Sequence, residues 1–177
     1  MDKESAVRGL KRVSVLAVPL LLAACSSGHD KVALYCPTVS VLTQANQLVK
    51  ARRDAPGISA REVSARITGV AGSCTAQGKR RVVTKFRVGF SAVRGPALSG
   101  NQITLPYFIA LTQGGQIIGK QVDPVTFKFK QGVNQTVATT KPIKIEMPNA
   151  PVSAQQEALV GFQLDQAEQN GAMGTQR

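Results

Sequence analysis

From Arg81 to Val93 the chain alternates. Val82, Thr84, Phe86, Val88, Phe90 and Ala92 fall on one side of an extended backbone, and Arg81, Lys85, Arg87 and Ser91 fall on the other. Successive side chains of a strand point to opposite faces. The run therefore reads as a strand buried on one face, with a basic face turned to water. Such a strand needs a second apolar layer to cover its inner side.

The rest of the chain supplies that layer in short pieces. Val32–Val41 holds β-favouring residues around Cys36-Pro37. Ala45, Leu48, Val49 and Arg52 predict a short helix over Thr43–Arg53, which Pro56 and Gly57 end. In VSARITGV, Val63, Ala65 and Ile67 share one face, and Ser64, Arg66 and Thr68 the other. Ile103–Thr112 and Gln116–Val122 flank Gly114-Gly115, a hairpin signal because both glycines can take positive φ. Val125–Lys130, Ile143–Met147 and Ala158–Leu164 complete about seven or eight short strands joined by turns. The expected architecture is mainly β: a single antiparallel β-sandwich of immunoglobulin or fibronectin type III kind, with one or two short helices. A small barrel is the alternative. A chain of 177 residues with 43% apolar side chains has enough material for one such core.

Ahead of this domain the pattern changes. Lys3, Arg8, Lys11 and Arg12 outnumber Asp2 and Glu4, and Val13–Leu22 is apolar apart from Ser14 and Pro19. A bilayer span needs about 20 apolar residues, and this run is about half as long. A basic start, a short apolar stretch and small residues describe an export signal. Leu22-Ala23-Ala24-Cys25 then resembles the lipobox of bacterial lipoproteins. The resemblance implies acylation of Cys25 and cleavage just before it. It implies a protein anchored in the bacterial envelope and facing the periplasm. Ser26 stands where the best-studied inner-membrane retention signal has Asp, so the resemblance favours the outer membrane. The alternative is an ordinary signal peptide with a chance cysteine. The expected divisions are a signal peptide at 1–24, a lipidated tether at 25–31, the β domain at 32–165 and a flexible tail at 166–177. Fully extended, Ser26–Lys31 spans roughly 20 Å, which keeps the domain close to its membrane.

With Cys25 assigned, Cys36 and Cys74 remain. Two cysteines in an exported domain most simply form one disulfide; two buried free thiols are the alternative. A catalytic thiol would want an activating base, and the sole histidine is His29, in the tether.

Motifs for chemistry are sparse. Gly114-Gly115-Gln116-Ile117-Ile118-Gly119-Lys120 matches the first seven positions of a phosphate-binding loop, but Gln121 replaces the Ser or Thr, and strand-like sequence follows where a helix is required. We expect no nucleotide. One tether histidine and two separated cysteines do not make a zinc site. No Gly-x-Ser-x-Gly elbow occurs. Paired carboxylates for glycoside hydrolysis are not apparent among Asp54, Glu62, Asp123, Glu146 and Glu157. Tyr and Phe all fall in expected strands and Trp is absent, a pattern of core packing. Asn134-Gln135-Thr136 fits a glycosylation acceptor, discounted in a bacterial setting. The chain therefore reads as non-enzymatic, without cofactor or metal.

The most distinctive surface feature is the basic cluster Lys79, Arg80, Arg81, Lys85, Arg87 and Arg94, in a chain of net charge +12. It suits anionic lipid, glycolipid or cell-wall polymer, or an acidic protein partner. A solvated basic strand face is the plain alternative. Nucleic acid is disfavoured by the compartment.

The segments ARITGVAGSC (Ala65–Cys74), FSAVRGPA (Phe90–Ala97), LPYFIAL (Leu105–Leu111) and LVGFQLDQAE (Leu159–Glu168) together resemble a group of uncharacterised alphaproteobacterial lipoproteins. The resemblance covers roughly Cys36 to Asn170 and implies an anchored, exported β domain. It carries no functional residues. The expected function is an interaction or assembly module beside the membrane; the alternative is a binding module for an anionic ligand on the basic strand face.

Overall fold

The structure, a computed structural model, describes residues 33–53 and 57–165. The expected signal peptide, lipidated tether and tail, with Cys25, His29 and Asp54, lie outside the described residues. Within them run nine strands: β1 (Thr38–Val41), β2 (Gln47–Ala51), β3 (Arg61–Gln77), β4 (Arg81–Arg94), β5 (Gln102–Gln113), β6 (Gln116–Lys128), β7 (Gln135–Thr139), β8 (Ile143–Pro148) and β9 (Gln156–Phe162). Helix is confined to two 3₁₀ turns, Thr43–Ala45 and Ile58–Ala60, and one α turn, α1 (Pro151–Ala154).

Two sheets face each other across one core. The first has the order β1-β9-β5-β6; the second is β2-β3-β4, with β7 and β8 both paired to the far edge of β4. Pairing is antiparallel except between β1 and β9. In an immunoglobulin constant-type sandwich the first, second, fifth and fourth strands share a sheet. Here β2, β3 and β4 are consecutive neighbours, because the tight turn at Gly78–Arg80 returns the chain beside itself.

β4 is the spine of the second sheet. Its six inward side chains are those that the alternation assigns, and all six are buried. Phe90 sits at the centre. Its ring meets Tyr107 at 5.3 Å, Phe162 at 5.7 Å and Phe127 at 6.3 Å, all three from the opposite sheet. Edge-on and tilted aromatic contacts of this kind add to the free energy of burial. β7 covers Gly89–Val93 and β8 covers Arg81–Phe86, so one long strand is capped along its edge by two short ones.

β3 changes its inward face halfway. Val63, Ala65 and Ile67 point inward, but the register against β4 slips between Ile67 and Gly69, leaving Thr68 as an extra residue. Beyond this bulge Val70, Gly72 and Cys74 face inward, opposite Val88, Phe86 and Thr84. Gly72 has to be glycine, because an added Cβ would collide with the Lys85 carbonyl and the Phe86 Cβ. Cys74 reaches Cys36, in the lead-in to β1, and the two form a disulfide across 38 positions with Cα atoms 6.1 Å apart. The bridge ties one sheet to the other. Constraining a loop of that length in the unfolded chain corresponds to roughly 4 kcal/mol in the chain-entropy account.

Three segments differ from expectation. Thr43–Arg53 is a 3₁₀ turn followed by β2, not a helix. Pairing with β3 decides this: Leu48 enters the core opposite Ala65, while Val49, which a helix would bury beside it, points out. A helix this short has little stability of its own. Gln116–Val122 and Val125–Lys128 belong to a single strand, β6. It runs through Pro124 because β6 is an edge strand, where the missing N–H costs no ladder bond. Gln135–Thr139 forms β7, which no alternation announced.

Two substitutions test this account. The Thr84 hydroxyl is buried among these side chains without a hydrogen-bond partner. Thr84→Val should raise stability by about 1 kcal/mol. Phe90→Ala should lower it by about 3–5 kcal/mol, because the opposite sheet cannot close on the hole. Urea unfolding with the disulfide intact measures both.

Candidate functional site

The basic cluster is built by the β3–β4 hairpin. Gly78 takes φ 66°, the left-handed conformation that the turn requires. Lys79 and Arg80 stand exposed beside it. From there Arg81, Lys85 and Arg87 project from every second or fourth position of β4 onto the outer face of the five-stranded sheet. Beyond the bulge the same face of β3 carries Ala71, Ser73, Thr75 and Gln77, paired with Arg87, Lys85, Val83 and Arg81 in turn. Short side chains there leave the long cations of β4 standing above the sheet.

β8 adds a residue that the sequence alone did not bring into the cluster. Lys144 lies directly opposite Lys85. Like charges in that position repel. The carboxylate among them is Glu146, which bonds Lys144 and lies 3.3 Å from Arg81. Its pKa is held below the ordinary carboxylate value by the hydrogen bond from Lys144 and then by the Lys144 charge; desolvation opposes them, and Arg81 adds a lesser lowering. Arg87 donates to the Thr140 carbonyl at 3.0 Å, which fixes its guanidinium beside the β7–β8 connection.

Arg94 does not join them. It lies at the other end of β4, roughly 40 Å from Arg81 along the strand. It has the inward parity, not the outward one. Its guanidinium donates to the Leu98 carbonyl at 2.9 Å and lies 5.9 Å from the Phe129 ring centre. It pins the loop after β4. The cluster is therefore Lys79, Arg80, Arg81, Lys85 and Arg87, with Lys144 in place of Arg94. IKIEM marks Lys144 as outward-facing, but only the register of β8 shows which residue it opposes.

A second feature is a cleft of about 400 Å³ at the open edge between β6 and the β7–β8 connection, lined by residues including Tyr107, Asp123, Val125, Thr139, Lys141 and Ile143. Burial, and secondarily Asp123, raise the Tyr107 pKa, so its phenol stays protonated. Asp123 accepts from Gln121 at 2.7 Å.

The remaining candidates have structural places. Gly114 and Gly115 take φ 57° and 80° in the β5–β6 turn, and the strand that follows provides no helix N-terminus for a phosphate. Glu157 accepts from Ser40 at 2.5 Å. Among the described residues no three His, Cys, Asp or Glu side chains gather as metal ligands, and no helix is long and apolar enough to cross a membrane. Comparison with protein-family models, curated proteins and solved structures finds no match.

The charge arrangement fixes one titration. A depressed carboxylate pKa contributes stability that is present above the unfolded-state pKa and is lost as pH falls through the folded one. For Glu146, at the exposed surface of the sheet, that contribution is small. In a carbon-detected NMR titration Glu146 should show a midpoint below that of ordinary glutamate. Lys144→Met should move it upward.

Proposed function

We propose that this chain is a non-enzymatic lipoprotein of the bacterial cell envelope, held by acyl chains on Cys25 and facing the periplasm, with its sandwich serving as an interaction or assembly module. The outer membrane is its preferred location. The observation that carries this reading is the Cys36–Cys74 disulfide. With those two cysteines bonded to each other, Cys25 is the one left over, and it stands at the end of the lipobox-like Leu22-Ala23-Ala24-Cys25. An exported, oxidising compartment suits the bridge, and several acyl chains would hold the domain at a membrane durably.

The second reading is a binding module for anionic glycolipid, phospholipid or cell-wall polymer. The placement of Lys85 against Lys144 favours it, since an anion bound there would relieve their repulsion.

Growth with a labelled fatty acid tests the anchor: the wild-type chain should take up label and Cys25→Ser should not. Label retained by Cys25→Ser would sink the lipoprotein reading. Crosslinking in living cells separates the two roles. A module for a protein partner yields a discrete crosslinked protein; a binding module yields salt-sensitive capture of anionic vesicles or polymer that fails when Lys85 and Arg87 are neutralised.

A further inference from the structure

We infer that the β3–β4 hairpin end of the sandwich is a membrane-contact surface for anionic phospholipid headgroups, made by Lys79, Arg80, Arg81, Lys85 and Lys144. The inference rests on the anchored reading above and adds an orientation to it.

The start of the domain is clamped at this end. Asn149 follows directly after β8. Its side-chain amide donates to the Ala33 carbonyl at 3.0 Å, and its side-chain oxygen accepts from the Tyr35 backbone N–H at 3.1 Å. Its own backbone N–H donates to the Arg80 carbonyl at 2.8 Å. One asparagine thus joins the first described residues to the basic turn. The disulfide fastens Cys36 to Cys74, on the same hairpin. Pro148 lies opposite Arg81 in the sheet, so the junction and the turn share one end of it.

Chain length then sets the reach. From Cys25 to Ala33 the backbone spans roughly 28 Å at full extension. An acyl group on Cys25 therefore holds the Ala33 end of the sandwich within that distance of the bilayer. Lys79, Arg80 and Arg81 are already at that end, and Lys85 follows roughly 13 Å along β4, level with Lys144. Surface potentials fade over about 8–10 Å at physiological salt. These cations gain most from anionic headgroups when the hairpin is turned toward them, and Glu146 is the carboxylate interspersed with them. Cations occur at the opposite end as well, among them Lys128 and Lys130, but no tether begins there. A lipid chain supplemented by a basic surface is a combination that makes attachment stable.

Hydrogen exchange on the full chain, purified with its natural N-terminus, tests the surface. The probes are vesicles of phosphatidylcholine alone and of phosphatidylcholine mixed with phosphatidylglycerol. Amides of Gln77–Arg81 should exchange more slowly on the anionic vesicles only, and high salt should abolish the difference. Neutralising Lys79, Arg80 and Lys85 to Gln should remove the slowing and weaken the added attraction about fivefold per side chain. Equal exchange on both vesicles overturns the inference, as does slowing at Phe129–Val133 in place of the hairpin. Unchanged exchange in the core strands shows that the variant is folded. Mass spectrometry of the N-terminal peptide reads acylation separately. An unacylated Cys25 overturns the anchored reading, and hairpin protection on anionic vesicles in that chain would still support the surface.

Discussion

The extra residue at Thr68 reverses the inward face of β3 midway along the strand, and the position of the N-terminal end of the domain depends on that reversal. Side-chain parity in a strand is strict. Had Val63, Ala65 and Ile67 kept their phase, residues 69, 71 and 73 would point inward and Cys74 would point to solvent. The bulge moves Cys74 to the inner side, opposite Thr84, where Cys36 can meet it. Gly69 takes the φ of 152° that the irregularity requires, and the Thr68 hydroxyl occupies the space over Gly89 that a Cβ there would take. The bulge, the glycine pair and the disulfide are thus one device. It links the two sheets covalently and holds the lead-in to β1 beside the β3–β4 hairpin.

The core is organised around β4 in a similar way. Because β4 is long, one edge can carry both β7 and β8, and its inner face can meet most of the opposite sheet. Phe90 contacts aromatic rings from β5, β6 and β9, so the sheets are fixed to each other near their middle as well as at the disulfide. Toward the cleft the inner face of β6 becomes polar, with Asp123 and Gln121 bonded to each other. There the sheets are not sealed by apolar contact, which is why an opening lies beside Tyr107 and Ile143.

How much of this could be read in advance follows the range of each interaction. The burial of β4 was legible because alternation is local and all six inward residues conform. The Gly114-Gly115 hairpin was legible for the same reason: its conformation belongs to the two residues themselves. The pairing of Cys36 with Cys74 followed from counting. Thr43–Arg53 misled because apolar residues at helical spacing also suit an edge strand that buries Leu48 alone. β7 was invisible because QTVAT has too few apolar residues to declare a face; its place comes from β4. The basic cluster was half legible. Outward parity identified Arg81, Lys85 and Arg87, but Arg94 has the other parity and closes a loop, and Lys144 joins only through the register of β8. No local signal encodes which residues of two distant strands lie opposite each other.

That register also bears on why the charges are where they are. A basic chain can distribute its cations so that water screens each one, and a surface cation then contributes little to stability in either direction. Lys85 and Lys144 are instead set directly across from each other on neighbouring strands, a placement that weakens a sheet. Glu146 offsets part of the repulsion, but it is shared between Lys144 and Arg81, which leaves Lys85 without a carboxylate opposite it. The short residues of β3 beside them contribute no compensating charge. The hairpin end therefore carries more positive charge than the fold itself neutralises, at the end where Asn149 and the disulfide hold the start of the domain. The favourable interactions of that excess are with anions outside the molecule, and the membrane contact proposed above would supply them without any further change in structure.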